Sequence, residues 1–256
     1  RIGGLAVVAP SAVHDAFDAI DSATRRAAGR KSKDKLALAV DPGLAMRWLI
    51  PRMRAFRLAF PQLEVEIHPS LALPALPSPE IDAAIFYGRA TDASLRQDFL
   101  FDVEAFPVCS PALLSGSDPL ERPADLARHV LLHEASTYWW ERWLEEAGCG
   151  SVDGKSGTIY HDSNFALDAA LAGDGVAIGD DCLGLAELKA GRLIRLFPLG
   201  LISGTYHLIC PSDRSTETRL EPFREWLLAE SRNHAAEVAG YRAGFSAGTQ
   251  SAMQPV

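Results

Sequence analysis

Residues 36–67, LALAVDPGLAMRWLIPRMRAFRLAFPQLEVEI, constrain the fold more than any other stretch of the chain. Leu36, Leu38 and Val40 stand in a short apolar run, the pattern of a strand buried on both faces. Asp41-Pro42-Gly43 interrupts it with turn chemistry. Leu44, Trp48, Leu49, Met53, Phe56 and Phe60 then recur at three- and four-residue steps, which predicts a helix with one apolar face. Arg47, Arg52, Arg54 and Arg57 fill much of the remainder, a solvated or subunit-facing surface. Pro51 would cost about 3 kcal/mol inside a regular helix, so a kink or restart is expected at 49–51. Pro61 ends the helix, and Leu63, Val65 and Ile67 alternate with Gln62, Glu64 and Glu66 as a second strand. This is one βαβ unit. In parallel α/β sheets, ligands bind beyond the carboxyl ends of strands, where helix N-termini point.

The alternation continues. Strands are expected at 81–87, 99–103, 106–109, 130–133, 158–161, 176–179, 193–196 and 206–210. Helices are expected at 138–147, with Ser136 or Thr137 as cap, at 164–171 after Asp162-Ser163, at 182–190, and from 213–215 onward. The fold class is therefore α/β, with largely parallel sheets. A break near 108–111 and a return near 208–211 suggest two lobes joined by two crossing segments, with a binding cleft between them. Residues 9–29 read as a separate amphipathic helix. It either packs on the following domain or pairs with a second copy. Residues 231–256 thin to Ala, Gly, Ser and Gln, and a partly disordered tail is expected there.

Composition removes several classes. A formal charge of −8 disfavours nucleic-acid binding by these residues, since phosphate neutralisation needs clustered Lys and Arg. No apolar run approaches a membrane span, and residues 1–10 lack a signal-peptide pattern. The chain starts at Arg1 in mid-pattern, as a piece of a longer product would. Cys109, Cys149, Cys182 and Cys210 form no CxxC and have no histidine at metal-ligand spacing, so no metal is expected. They read as reduced, buried thiols; a Cys109–Cys210 bridge on adjacent hinge strands is the sharper alternative. No nucleophile elbow, P-loop, HExxH or dinucleotide fingerprint is present, so neither catalytic residues nor a cofactor is assigned.

Eight segments in order carry a resemblance: LAMRWLIPRMRAFRLAFPQLEVEI, IDAAIFYGR, FPVCSPALL, PLERPADLARHVLLHE, WWERWLEEAG, NFALDAALAGDGVAIGDDCL, LKAGRLIRLF and FREWLLAE. Together they resemble the regulatory part of LysR-type transcriptional regulators, in the subgroup of activators of glycine cleavage and of chromosomal β-lactamase. The resemblance implies two Rossmann-like lobes joined by two crossover strands, a type 2 periplasmic-binding-protein-like fold preceded by a linker helix. It divides the chain into the end of a wing and a dimerising linker helix (1–33), lobe I (34–108 plus 209–230), lobe II (109–208) and a tail (231–256). It also implies a small-molecule effector in the cleft, a homodimer or homotetramer, a cytoplasmic location, and contact with DNA only through an upstream winged helix-turn-helix. A two-lobed solute-binding receptor of a transport system is the alternative. The Pro-rich segment at 74–79 and the loop RATDAS after Gly88 depart from the family pattern.

Two turns become the facing halves of a site. Asp41, Pro42, Gly43 and Leu44 open the first helix, and Asp162, Ser163 and Asn164 open the helix of the other lobe. Ser163 is either a ligand contact or a plain N-cap, and the two roles can coexist. Tyr87 and Gly88 end a strand; Tyr87 either faces the cleft or packs. Ser70, His133, Ser136 and Gly179 complete the candidate set, with Glu134 and Asp180 beside them. His133 has a competing reading as a hydrogen-bonded structural residue, and Trp139, Trp140 and Trp143 read as core more than as a ligand cage. Helix N-termini suit a polar or anionic effector.

Overall fold

The computed structural model describes residues 35–116, 118–212 and 214–252; the expected helix at 9–29 lies outside them. Their strands form one sheet in the order β2-β1-β3-β9-β4-β7-β5-β6, with β8 attached to β4. The strands are β1 (Lys35–Val40), β2 (Glu64–Pro69), β3 (Ala83–Tyr87), β4 (Leu95–Cys109), β5 (Leu131–Glu134), β6 (Thr158–Tyr160), β7 (Val176–Asp180), β8 (Ile194–Arg195) and β9 (Leu201–Pro211). β1 pairs in parallel with β2 and β3, and β5 with β6 and β7. The ladders involving β4 and β9 are antiparallel, so the sheet is mixed where a largely parallel one was expected.

The first βαβ unit is present. Leu36, Leu38, Val40, Leu44, Trp48, Leu49, Met53 and Phe56 are all buried, the face the periodicity predicts. The helical run after β1, here α1, has three parts: Pro42–Leu44, a wide π-turn Ala45–Leu49, and Ile50–Ala59. The restart falls where Pro51 requires it. A proline ring clashes with the carbonyl four residues back, and the wider turn moves that carbonyl away.

β4 and β9 join the halves. β3 pairs with β9 only as far as Tyr87–Tyr206, and β7 pairs with β4 only from Ala105. Between these limits the only strand ladder among the described residues runs between 102–104 and 202–205. That is the crossover, several residues inside the lobe boundaries expected at 108–109 and 208–209. The two strands expected at 99–103 and 106–109 are one strand with register shifts between Phe99 and Phe101 and between Val103 and Glu104. The shifts bend β4 without ending it. In this ladder Cys210 lies opposite Arg96, thirteen positions along β4 from Cys109, hence about 40 Å away. A bridge needs Cα atoms within about 7 Å, and all four cysteines are free thiols.

Lobe II carries α2 (Pro111–Leu114), a 3-10 turn (Pro123–Arg128), α3 (Tyr138–Glu146), α4 (Ser163–Ala172) and α5 (Leu185–Lys189). Trp140 and Trp143 are core residues whose indole N–H groups donate to the carbonyls of Leu132 and Leu199. The last helix, α6 (Arg214–Ala252), corrects the expected tail. Ser231, His234 and Val238 recur at helical spacing and are buried, so the segment has an apolar seat that its small-residue composition conceals.

Candidate functional site

Asp41 follows β1 and caps α1: its Oδ1 accepts from Leu44 N at 3.0 Å, and its own N–H donates to Ile85 O. Asp162 does the same for α4, accepting from Asn164 N at 2.8 Å. These caps bring the two turns together. A Cβ placed on Gly43 would stand 3.0 Å from Ser163 Oγ, 3.1 Å from Leu183 Cδ1 and 3.2 Å from Asp41 Oδ1. Glycine at 43 therefore sets how closely the lobes meet. Pro42 supplies the first helical position, which needs no donor, and Leu44 is fully buried beneath it.

One turn after Gly43, Arg47 reaches across from lobe I. Its Nε donates to Asn164 Oδ1 at 2.8 Å, one Nη2 hydrogen bond goes to Asn164 O at 3.4 Å, and Asp168 completes an ion pair. Asn164 is buried, held by Asp162 on one side and Arg47 on the other. The sequence reading gave Arg47 to an outer surface. Its spacing from Gly43 and Leu44 was the available signal, because residues three and four apart share a helix face.

Four carboxylates from both lobes sense one another here. Asp180, at the end of β7, is pushed up to about 7, first by burial and then by Asp181 and Asp41, against backbone N–H donors from Leu183 and Cys182. Glu134, at the end of β5, is also pushed up to about 7, by desolvation and then by Asp180, Asp41 and Asp162. Glu134 keeps substantial solvent contact, so the perturbation at Asp180 carries more weight. Asp41 is raised by burial, with Asp162 adding to it and a hydrogen bond from Tyr206 opposing it.

Tyr87 borders this group. Its ring meets Tyr206 edge-on at 5.2 Å, and its hydroxyl lies 2.6 Å from where a Cβ on Gly204 would be. The Tyr87 hydroxyl is raised by desolvation, with Asp180 and Glu134 contributing and a hydrogen bond to Ser203 opposing. Gly88 turns the chain at φ +101°, conformational space that favours glycine, and donates to Thr205 O at 2.7 Å.

The remaining candidates stand apart. His133 is buried with Nε2 2.8 Å from Ser156 O, facing the 156–157 turn in a structural role. A Cβ on Gly179 would collide with Val108 Cγ2 at 2.7 Å, so that glycine serves close packing. Ser136 is exposed and accepts from Tyr138 N at 3.4 Å. The Ser70 hydroxyl donates to Ala72 O and its backbone N–H donates to Val40 O, closing the turn after β2. Ser203, Tyr206 and Arg47 are the groups bordering the cleft that the sequence did not single out; Glu134 and Asp180 already stand beside the candidate set. No cluster of metal-ligating residues occurs among the described residues.

Two lobes on one bent sheet, joined by two strands and closing over paired helix N-termini, define a ligand-binding domain. The family comparison narrows this: residues 29–232 match the LysR substrate binding domain, and the chain belongs to that family. The chain is 34% identical to the glycine cleavage system transcriptional activator of Escherichia coli K12, over 90% of this chain and 75% of the relative. It is 30% identical to the HTH-type transcriptional activator AmpR of Rhodobacter capsulatus, over 84% and 73%. The AmpR effector domain of Pseudomonas aeruginosa superimposes with a TM-score of 0.66 at 25% identity, over 81% of this chain and 98% of that one. The AmpR effector binding domain of Citrobacter freundii superimposes equally well at 23% identity. The chain is the effector-binding domain of a LysR-type regulator, and its relatives are transcriptional activators.

Proposed function

We propose that this domain senses a small polar molecule carrying a cationic centre, bound between the 41–44 and 162–164 turns. The observation that supports this reading is the meeting of Gly43 with Ser163, bordered by Asp41, Glu134, Asp162 and Asp180. An entering cation relieves the mutual repulsion of these carboxylates, whereas an anion would add to it. The polar expectation stands in this reading, and the anionic one is replaced. The site acts by binding: ligand favours the lobe arrangement it fits best, and paired protomers pass the change to an upstream DNA-reading module in the cytoplasm. Pairing uses the edge of lobe I, where Ile50, Met53, Phe60, Val65 and Ile67, with the charged Lys35, Arg57, Glu64 and Glu66, line a groove beside the outer strand β2.

The test is a thermal-shift screen with amino acids, small amines and small dicarboxylates. An amine-bearing compound is expected to raise the melting temperature of the parent chain. Ser163→Ala and Glu134→Gln should reduce that shift by at least half, with their unliganded melting close to the parent. Shifts from dicarboxylates alone, or shifts that both variants leave intact, would remove the cationic-effector reading.

A further inference from the structure

The match to the family ends at residue 232, but α6 continues to Ala252, and its continuation touches both lobes. Earlier in the helix the contacts are to lobe I. Arg219 donates to Lys35 O at 3.0 Å and to Asp82, Arg224 forms a two-pronged pair with Asp98 at 2.7 Å, and Phe223 packs on Phe56. At the joint, Ser231 Oγ donates to Leu100 O at 2.5 Å, and the His234 ring stacks 4.6 Å from Phe101. Beyond it the partners change lobe. Glu237 pairs with Lys189 of α5 at 3.0 Å, and Phe245 lies 5.1 Å from the Arg195 guanidinium of β8. Arg242 pairs with Glu104 in the crossover and with Asp181 just after β7. Residues 219–245 span about 39 Å of helix axis, long enough to cross from one lobe to the other.

We propose that the helix beyond residue 232 is an interlobe brace: it ties lobe II to lobe I in parallel with the two crossover strands and fixes the angle at which the lobes meet. Beyond Ser231 the ion pairs of Glu237 and Arg242 go to lobe II and the joint, the places a change of angle would move, while His234 still meets Trp48 of lobe I edge-on at 5.9 Å. Asp181 is the firmest anchor. Its carboxylate is fully buried, accepts from Glu104 N at 3.0 Å, and has Arg242 as its cationic partner. The seat is also incompletely filled. A solvent-open pocket of about 330 Å³ lies between the brace and both lobes, walled by Trp48, Arg52, Leu185, Lys189, His234 and Glu237. Trp48 Nε1 and His234 Nδ1 are buried there without hydrogen-bond partners. The brace therefore holds the lobes through its ion pairs and through Ser231 more than through close packing at this point. The inference is independent of what binds the cleft.

Hydrogen exchange followed by mass spectrometry tests it. The chain ending at residue 232 is compared with the complete chain, together with a complete chain carrying Arg242→Gln and Lys189→Gln, which keeps the helix and removes two anchors. Exchange of the joint amides at 102–105, 181–184 and 201–205 is expected to rise about ten-fold in the truncated chain and about three-fold in the double variant. β1 and β5 should exchange as before. Unchanged joint exchange in the double variant overturns the brace. An equal rise in β1 and β5 also overturns it, because the helix would then be ordinary core. Should the truncated chain fail to fold, the double variant decides alone.

Discussion

At Asp180 two forces oppose each other. Backbone N–H groups of Cys182 and Leu183 stabilise the carboxylate at 2.7 and 2.6 Å, while burial and neighbouring acids raise its pKa to about 7. An unfolded aspartate titrates near 4, so between about pH 4 and 7 the unfolded chain has released a proton that the folded chain retains. Stability from this group therefore falls as pH rises across that window, and the loss is complete above about 7. Asp180→Asn keeps an acceptor for both N–H groups and removes the charge. Its melting temperature should exceed the parent's at pH 8 by a few degrees, and the gain should shrink towards pH 5. A difference constant across that range would contradict the linkage. At this scale the sequence disclosed Asp41, Gly43, Asp162 and Ser163, because caps and turns are local signals. It concealed the Arg47–Asn164 contact, whose partners are 117 residues apart. It left His133 between a cleft contact and a structural histidine, because alternation along a strand does not say which face meets the cleft; the contact with Ser156 O fits the structural reading.

Elements were legible where periodicity is strong. α1 and its restart at Pro51 follow from spacing and proline chemistry alone. β4 read as two strands because its register shifts look like breaks when the partner strand is unseen. The start of α6 was legible, but its part from 231 on read as a tail because small residues carry little apolar signal, although residues 231, 234, 238, 241 and 245 keep helical spacing. Its lobe I half is a core element. Phe223 is fully buried, with ring centroids 5.3 Å from Phe56 and 5.5 Å from Trp226. Phe223→Ala should cost about 3–5 kcal/mol in urea unfolding, the usual loss for an aromatic ring deleted from a core. A cost below about 1 kcal/mol would mean that α6 adds little to lobe I.

For the whole molecule, the two edges of the sheet differ. β6 is a three-residue strand, a short edge that resists pairing, whereas β2 is longer and flanks the groove. Ile50 lines that groove 54% exposed, and Leu58 is 73% exposed on the same helix. The proposed pairing of two copies along this edge would cover them. Ile50→Glu combined with Leu58→Glu should halve the mass seen by light scattering while circular dichroism stays unchanged. A folded double variant of parental mass would place the contact elsewhere. No described helix is long and apolar enough to cross a membrane.

The crossover at 102–104 and 202–205 also has the geometry of a pivot. β6 lies three strands from β4, about 14 Å at the usual spacing. A turn of about 10° at the crossover would carry β6 through about 2.5 Å by that lever arm. Closing two small turns around a ligand becomes a translation of the far edge, comparable to half a strand spacing. Taken relative to lobe II, the β2 edge, three strands from β9, swings by the same amount, so a second copy paired there would register cleft occupancy as a change in where its contact surface lies.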